Sequence, residues 1–301
     1  MQPKNAVCQE KNLRRSLEKQ MHILSAVMLF GSLRRIIDKK QYYFARLLRI
    51  MKGTALKRRI AMKKKRKEAP YVSCIIAAGG SGSRMGADKN KIFLELRDIP
   101  VLAHTLLAFQ NHPLISEIVV AARECDIPGC MDIAEEFRIS KLKTITRGGD
   151  TRQESVMRGM SEISPEADVV LIHDAARPLV TEQIISDVAE NARLCGGAAV
   201  GSPCKNTIKE TDADGFILRT VDREFLYEIQ TPQGFTAKNA RQMYQNAEEN
   251  RLCGTDDCYL AEQIGLRVKM ISGSSDNIKI TTYDDLLIAE QIMDKREEHK
   301  R

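Results

Sequence analysis

The sequence has no closely spaced pair of cysteines. Its eight cysteines stand at Cys8, Cys74, Cys125, Cys130, Cys195, Cys204, Cys253 and Cys258. None of these positions forms a C-x-x-C pair, which zinc sites use, and the disulfide framework of a small secreted domain would be denser. We therefore expect free thiols and a cytoplasmic protein.

The sequence also lacks a run of apolar residues that could span a bilayer. Its longest apolar stretch, residues 23–33, is too short to cross a membrane. Basic residues precede this stretch, as in a signal peptide, but Arg34 and Arg35 follow it where a small-residue cleavage pattern would stand. We expect neither a transmembrane helix nor a signal peptide.

Acidic residues are scarce in the first part of the chain. Residues 1–70 contain 20 Lys and Arg and 4 Asp and Glu, whereas residues 71–301 contain 27 and 36. This difference predicts a basic, partly amphipathic extension of unknown role at 1–70 and a separate domain at 71–301. An amphipathic basic helix can lie on a membrane or bind nucleic acid. Because such patterns are common, we favour an appendage outside the chemistry, with Met62 as a candidate start.

Strands and helices alternate after residue 70. Residues 71–78 form a near-continuous apolar run, which is typical of a buried parallel strand. Further strands are predicted at 117–122, 143–146, 168–173, 198–202 and 267–272. Helices are predicted at 100–110, 133–137, 150–163 with Asp150 as cap, 181–194, 222–229, 237–249, 255–264 and 283–295. The alternation predicts an α/β fold, a doubly wound and mostly parallel sheet with helices on both faces.

One segment breaks the alternation. Residues 207–211 and 216–221 read as two strands joined by the turn-rich sequence Asp212-Ala213-Asp214-Gly215. This predicts a β-hairpin arm at about 204–223. Because a two-stranded hairpin is marginally stable alone, we expect it to pack on another surface, and a dimer partner is the natural candidate.

A glycine-rich loop follows the first strand, with the sequence Ala78-Gly79-Gly80-Ser81-Gly82-Ser83-Arg84-Met85-Gly86. Its spacing lacks both the Gly-Lys-Ser/Thr of a Walker A loop and the third glycine of a dinucleotide fingerprint. Glycines at a strand end let backbone N–H groups approach phosphates, and Arg84, Lys89 and Lys91 add positive charge. The sequence favours a phosphate site here, and a solvated surface loop is the alternative.

A second motif, His173-Asp174-Ala175-Ala176-Arg177-Pro178, ends the fourth predicted strand. Asp174 would project into the same crevice, where it could hold Mg²⁺ or a hydroxyl group, and Arg177 could face an anion. Alternatively, Asp174 caps a turn and Arg177 is a surface ion-pair partner. We expect His173 to be a packed histidine.

Several motifs occur in the order that is found in a known family. They are Gly80-x-Gly82-x-Arg84-Met85 with Lys91, Gly148-Gly149-Asp150-x-Arg152-x-x-Ser155-Val156, His173-Asp174-Ala175-Ala176-Arg177-Pro178, Lys205-Asn206-Thr207-Ile208-Lys209, Thr220-Val221-Asp222-Arg223, Gln230-Thr231-Pro232-Gln233, Gly254-Thr255-Asp256-Asp257 and Asp276-Asn277-Ile278-Lys279-Ile280-Thr281. Over residues 71–295 the chain therefore resembles the 2-C-methyl-D-erythritol 4-phosphate cytidylyltransferases of the non-mevalonate isoprenoid pathway. The resemblance implies a Rossmann-like nucleotidyltransferase fold.

The resemblance also implies a role for each matching residue. Arg84, Lys91 and Lys279 would be the catalytic cations that hold the CTP phosphates and stabilise the pentacoordinate α-phosphorus. The implied CTP-binding residues are Ala78, Gly79, Gly80, Gly82, Gly149, Asp150 and Ser155. The implied substrate-binding residues are Asp174, Arg177, Thr207, Arg223, Thr231 and Thr255. In the family, Thr207 and Arg223 lie on a hairpin arm that reaches into the second subunit of a homodimer.

The implied reaction transfers CMP from CTP to the acceptor phosphate, with Mg²⁺ or another divalent cation as cofactor. A phosphate monoester is already an anionic nucleophile, so alignment and charge neutralisation suffice and no strong base is needed. Two other readings stay open. One is a cytidylyltransferase that acts on ribitol 5-phosphate, and the other is a non-catalytic protein that binds nucleotide or nucleic acid through its basic N-terminus. The acidic balance of residues 71–301 disfavours the last reading, so no nucleic acid is expected as a partner.

Overall fold

The computed structural model describes residues 70–80 and 90–299. The predicted basic extension, apart from Pro70, lies outside these residues, as do Gly82 and Arg84 of the predicted site. The division between the extension and the domain therefore stays a prediction. Within the described part of the chain, no helix combines the length and the apolar character that a membrane crossing requires.

A sheet of seven strands forms the centre of the domain. With all strands of the described residues numbered in chain order, its members are β1 (Val72–Ala78), β4 (Ile115–Ala122), β5 (Leu142–Arg147), β6 (Val169–Asp174), β7 (Gly197–Pro203), β10 (Tyr227–Thr236) and β11 (Lys269–Ser272). Across the sheet they lie in the order β11-β7-β10-β6-β1-β4-β5. A short pair, β2 (Glu95–Leu96) and β3 (Ile99–Pro100), lies apart from this sheet.

The sheet is parallel except at β10. β1 pairs in parallel with β4 and β6, and β11 pairs in parallel with β7, whereas β10 is antiparallel to both β6 and β7. The prediction of a mostly parallel sheet is therefore confirmed. The predicted helix at 222–229 is wrong, because residues 227–229 begin β10 and hydrogen-bond to β7.

Helices cover both faces of the sheet, as the alternation predicts. In chain order within the described residues they are α1 (Val101–Gln110), α2 (Ile127–Glu136), α3 (Arg152–Glu162), α4 (Glu182–Cys195), α5 (Ala237–Glu249), α6 (Asp257–Gln263) and α7 (Tyr283–Glu298). α1, α2 and α4 pack on one face, where Leu102, Phe109 and Ile185 are buried. α3, α5 and α6 pack on the other face, where Val156 and Met243 are buried.

The two faces explain why β1 reads as a continuous apolar run. Cys74 and Ile76 face the first layer of helices, and Ile75 faces the second, so neither side of the strand meets water. Strands that are covered on both faces need apolar residues at every position rather than alternate ones.

The inserted hairpin is formed by β8 (Ile208–Thr211) and β9 (Ile217–Val221), which pair with each other and with no other strand of the described residues. Gly215 has a φ of 87°, a left-handed conformation that suits glycine in the turn. The predicted hairpin at about 204–223 is thus confirmed. The hairpin keeps three large apolar side chains exposed, Phe216 just before β9 at 72%, and Ile217 and Leu218 on β9 at 64% and 60%.

Candidate functional site

A cleft of about 560 Å³ opens at the carboxyl edge of the sheet. It lies near the ends of β1 and β6, where the strand order reverses. On one side of β1 lie β4 and β5, and on its other side lies β6. Open α/β sheets bind ligands at such a switch point. The predicted site residues that line the cleft are Ala78, Gly79, Gly80, Lys91, Gly149, Asp150, Ser155, Asp174 and Lys279.

Lys91 opens the short 3-10 helix Lys91–Phe93 at the wall of the cleft. The preceding residue, Asn90, is buried and donates from Nδ2 to Asp126 Oδ2 at 2.7 Å. Asp126 also accepts from Arg123 Nε at 2.6 Å, and Arg123 lines the cleft as well. One buried carboxylate therefore holds two positively charged segments in place, a link that no sequence motif indicated.

The loop between β5 and α3 forms another wall. Ser155 is buried, and its Oγ accepts from Gly149 N at 3.1 Å and donates to the Thr151 carbonyl at 2.9 Å. A Cβ at Gly79 would lie 2.6 Å from that Oγ, so a glycine after β1 lets the two loops approach each other. Ser155 thus shapes the loop that the resemblance assigns to CTP binding.

The helix cap in this loop differs from the prediction. Thr151, rather than Asp150, caps α3, because its side chain accepts from Glu154 N in a capping box. Glu154 Oε2 in turn accepts from Asp150 N at 2.7 Å. The predicted capping role of Asp150 is wrong, and its exposed side chain stays available at the cleft.

Three cations surround Asp174 at the end of β6. Arg152 Nε lies 3.0 Å from Asp174 Oδ1, while Lys279 Nζ and Arg177 Nε lie 2.8 and 3.5 Å from Asp174 Oδ2. The second arm of Arg152 reaches Asp257, with 2.9 Å between Nη2 and Oδ2. These five groups carry three positive charges and two negative charges, so the floor of the cleft has a net positive charge that suits an anion.

The pKa values of this cluster follow from the same contacts. Burial raises the pKa of Asp174, but Arg152, Lys279 and Arg177 outweigh burial and hold that pKa well below its usual range. For Arg152, burial lowers the pKa, and the carboxylates of Asp257 and Asp174 raise it further than burial lowers it. Both groups are therefore charged at neutral pH.

The surroundings of Asp174 do not suit its predicted role as a metal ligand. Both of its oxygens already contact cations, and a divalent ion beside them would meet the charges of Arg152, Arg177 and Lys279. Among the described residues, no group of three or more His, Cys, Asp or Glu side chains could hold a metal ion. Asp174 is better suited to anchoring cations than to binding one from solution.

His173 is packed below the site, as expected. Burial lowers its pKa to about 4, so the ring is neutral. Its Nε2 lies 3.1 Å from the Arg177 carbonyl, which can only accept, so Nε2 carries the proton and Nδ1 accepts from the Thr231 hydroxyl at 3.1 Å. Thr231 Oγ1 also accepts from Asp174 N at 3.1 Å. Thr231, a predicted substrate residue, thus lies buried beneath Asp174.

Lys279 stands on a segment that is fixed on both sides. Before it, Arg177 Nη1 donates to the Asn277 carbonyl at 2.8 Å, and after it Ile280 N donates to the Ala176 carbonyl at 2.8 Å. The loop that follows β6 therefore holds the backbone of Lys279. Arg177 is largely buried in this arrangement and does not line the cleft.

The remaining predicted substrate residues do not line the cleft. Thr207 and Arg223 are exposed at the base of the hairpin, just outside β8 and β9, where Arg223 donates to the Lys205 carbonyl. Thr255 is exposed in the loop before α6, and the neighbouring Gly254 N–H is held by Gln153 Oε1 at 2.9 Å.

Sequence reasoning gave no role to Arg152 and Asp257, the two residues that organise the cleft floor. Both belong to motifs that carry the resemblance, so their place in those motifs could have pointed to them. A positively charged residue at the start of a helix and an acidic residue at the start of another do not reveal by themselves that they meet across 105 positions of sequence.

Comparison with known proteins gives one consistent result. The family model described as 2-C-methyl-D-erythritol 4-phosphate cytidylyltransferase matches residues 72–295. The protein of that name from Clostridium acetobutylicum is 43% identical over 222 residues, which cover 73% of this chain and 96% of the relative. The protein of that name from Syntrophus aciditrophicus is 40% identical and is covered over 98% of its length, against 76% of this chain.

A solved structure agrees with these relatives. The crystal structure of 4-diphosphocytidyl-2C-methyl-D-erythritol synthase from Anaerococcus prevotii superimposes with a TM-score of 0.68 at 30% identity. The superposition covers 75% of this chain and 97% of that one. The resemblance that the motifs indicated is therefore confirmed in both sequence and fold.

Proposed function

This chain belongs to the 2-C-methyl-D-erythritol 4-phosphate cytidylyltransferase family, and from that premise we propose where and how it works. It is an enzyme that transfers CMP from CTP to 2-C-methyl-D-erythritol 4-phosphate and releases pyrophosphate. The reaction takes place in the cleft at the ends of β1 and β6. The observation that carries this placement is the positively charged cleft floor, formed by Arg152 and Lys279 around Asp174.

In this proposal the nucleotide lies across the cleft. Gly149, Asp150 and Ser155 form the wall that takes the cytosine. Lys91 and Lys279 contact the phosphates, together with Arg84 from the glycine-rich loop. A triphosphate carries about four negative charges, and fixed cations stabilise the further charge that develops on the α-phosphorus.

The acceptor phosphate attacks the α-phosphorus in line as pyrophosphate leaves. Because the attacking oxygen is already anionic, this step needs alignment and neutralisation rather than a general base. The buried and neutral His173, whose two ring nitrogens are both engaged, supports a mechanism without a histidine base. Asp174 contributes by holding the cations of the floor in fixed positions.

Enzymes of this family generally depend on a divalent metal ion. Because Asp174 does not fit as a ligand, we propose that Mg²⁺ is held by the CTP phosphate oxygens. When bound, the ion neutralises charge on the pyrophosphate leaving group.

We also propose that the active form is a homodimer in which the hairpin arm serves the neighbouring subunit. Thr207 and Arg223 do not line the cleft of their own chain, which agrees with a role at the partner's site. The apolar side chains of Phe216, Ile217 and Leu218 are exposed on the arm and would be buried by such a partner. A cytoplasmic location stays a prediction, which imaging of a tagged chain would test.

The acceptor is tested by comparing two sugar-alcohol phosphates. The purified full-length enzyme is given CTP and Mg²⁺ with either 2-C-methyl-D-erythritol 4-phosphate or ribitol 5-phosphate, and pyrophosphate release is measured. We expect kcat/KM for the methylerythritol substrate to be at least about 100-fold higher, because mismatched polar contacts are costly in a binding site. Pyrophosphate release with ribitol 5-phosphate but not with 2-C-methyl-D-erythritol 4-phosphate would overturn the assignment.

A further inference from the structure

A buried chain of hydrogen bonds connects α5 to the cleft floor. The hydroxyl of Tyr244, which is 4% exposed, donates to Asp257 Oδ1. Asp257, which is 1% exposed, accepts from Arg152 Nη2 at 2.9 Å through its other oxygen. Arg152 Nε then donates to Asp174 Oδ1 at 3.0 Å. Tyr244 itself does not line the cleft, so any influence that it has on the reaction passes through these two links.

We propose that Tyr244 is a positioning residue for the transfer reaction, acting through Asp257 and Arg152 on Asp174 and Lys279. The proposal rests on the function proposed above. It adds a residue of α5 that belongs to none of the motifs carrying the family resemblance.

Asp257 is the link between Tyr244 and Arg152. Its carboxylate is buried and has its two oxygens served by different donors, Tyr244 at Oδ1 and Arg152 at Oδ2. Burial and the nearby carboxylate of Asp257 raise the pKa of Tyr244 well above its ordinary value, so the phenol stays protonated and donates. Without the phenol, a buried anionic oxygen loses its donor, and the carboxylate must turn towards Arg152 or admit water.

Arg152 is shared between the carboxylates of Asp174 and Asp257. A guanidinium has a rigid planar fork of donors, so moving Nη2 towards Asp257 also moves Nε relative to Asp174. Asp174 then forms a stronger ion pair with Lys279, whose Nζ already lies 2.8 Å from Oδ2. A lysine held more tightly by Asp174 is less able to follow the phosphate as charge develops. The expected defect therefore lies in turnover rather than in binding of CTP.

The test compares two tyrosine variants that each lose a phenol-to-carboxylate hydrogen bond. Tyr244→Phe removes the donor to Asp257, whereas Tyr71→Phe removes a donor to the buried Glu117, 3.1 Å away at the amino end of β1. We expect Tyr244→Phe to lower kcat about tenfold with KM for CTP unchanged, which is the pattern of an interaction made in the transition state. Tyr71→Phe keeps the wild-type kcat, although both variants lose some thermal stability.

A double variant shows whether Tyr244 acts through Asp257. In the Asp257→Asn background, Tyr244→Phe should reduce kcat no further, because coupled residues are not additive. If Tyr244→Phe has the kcat of the wild type, or if it lowers kcat independently of Asp257, the positioning proposal is wrong. If Tyr244→Phe does not fold, kcat is measured in the Asp257→Asn variant instead. Wild-type turnover in that folded variant overturns the proposal. Absence of pyrophosphate release by the wild type would instead contradict the proposed function.

Discussion

The three cations around Asp174 differ in what they can offer a nucleotide. Arg152 bridges two carboxylates, and Arg177 is largely buried with one arm on the Asn277 carbonyl. Lys279 is 37% exposed and contacts a single carboxylate, so it is the member of the cluster that can contact a phosphate in the cleft. Its backbone is held by neighbouring hydrogen bonds, but its side-chain charge remains accessible.

We therefore expect Lys279→Ala to lower kcat by at least about 100-fold, the usual cost of removing a group that stabilises transition-state charge. Pyrophosphate release measures this effect. Lys269→Ala is the matched control, since Lys269 is an exposed lysine on β11 that does not line the cleft. Near-normal turnover in folded Lys279→Ala would remove this residue from the catalytic set.

A second prediction at this scale concerns His173 and pH. Burial lowers its pKa from the ordinary 6.5 to about 4 in the folded protein. Between these values the unfolded chain binds a proton that the folded protein excludes. The stabilising effect of the neutral ring is therefore fully present above pH 6.5 and is lost as the pH falls towards 4.

The measurement is urea unfolding of the wild type and of His173→Gln at pH 7 and pH 5. Gln can keep both a donor and an acceptor in place of the ring but does not titrate. We expect the wild type to lose about 2 kcal/mol more than His173→Gln over this interval. Replacement of the exposed His299 by Gln should leave the wild-type dependence intact. Equal pH dependence in the wild type and His173→Gln would rule out this linkage.

At the scale of elements, the sequence predicts the parts of the fold that depend on local patterns. β1 is recognisable because burial on both faces demands a continuous apolar run, and the hairpin because its turn is rich in Asp and Gly. β10 was missed for a physical reason: Pro232 and Gly234 weaken strand propensity, and its pairing with β6 and β7 is non-local. The contact between Arg152 and Asp257 is also non-local, so no local sequence pattern predicts it.

The hairpin exposes three consecutive apolar side chains, Phe216, Ile217 and Leu218. Leu218 on β9 and Leu287 on α7 are both 60% exposed, so they differ in location rather than in accessibility. If the arm forms the dimer interface, Leu218→Asp should shift the protein towards monomer in sedimentation velocity, because a buried charge in an apolar contact is costly. Leu287→Asp should leave the dimer intact. A stable dimer in Leu218→Asp would place the interface elsewhere.

At the scale of the whole molecule, an active site completed by the hairpin arm of the partner subunit has a specific consequence for mixed dimers. Each site would combine Lys279 of one subunit with Arg223 of the other. In a dimer of one Lys279→Ala subunit and one Arg223→Ala subunit, both defects then fall in the same site, and the second site is complete. If the arm served its own chain, each of the two sites would carry one defect.

Mixed dimers purified through two different tags should therefore have about half of the wild-type activity, while each variant alone is nearly inactive. The control pairs Lys279→Ala with the double variant Lys279→Ala, Arg223→Ala, in which no site has its lysine under either arrangement. Pyrophosphate release is measured after sedimentation has verified the dimers. Activity as low as that of the control would mean that Arg223 acts within its own chain, and the exchanged arm would be rejected even if the protein is dimeric.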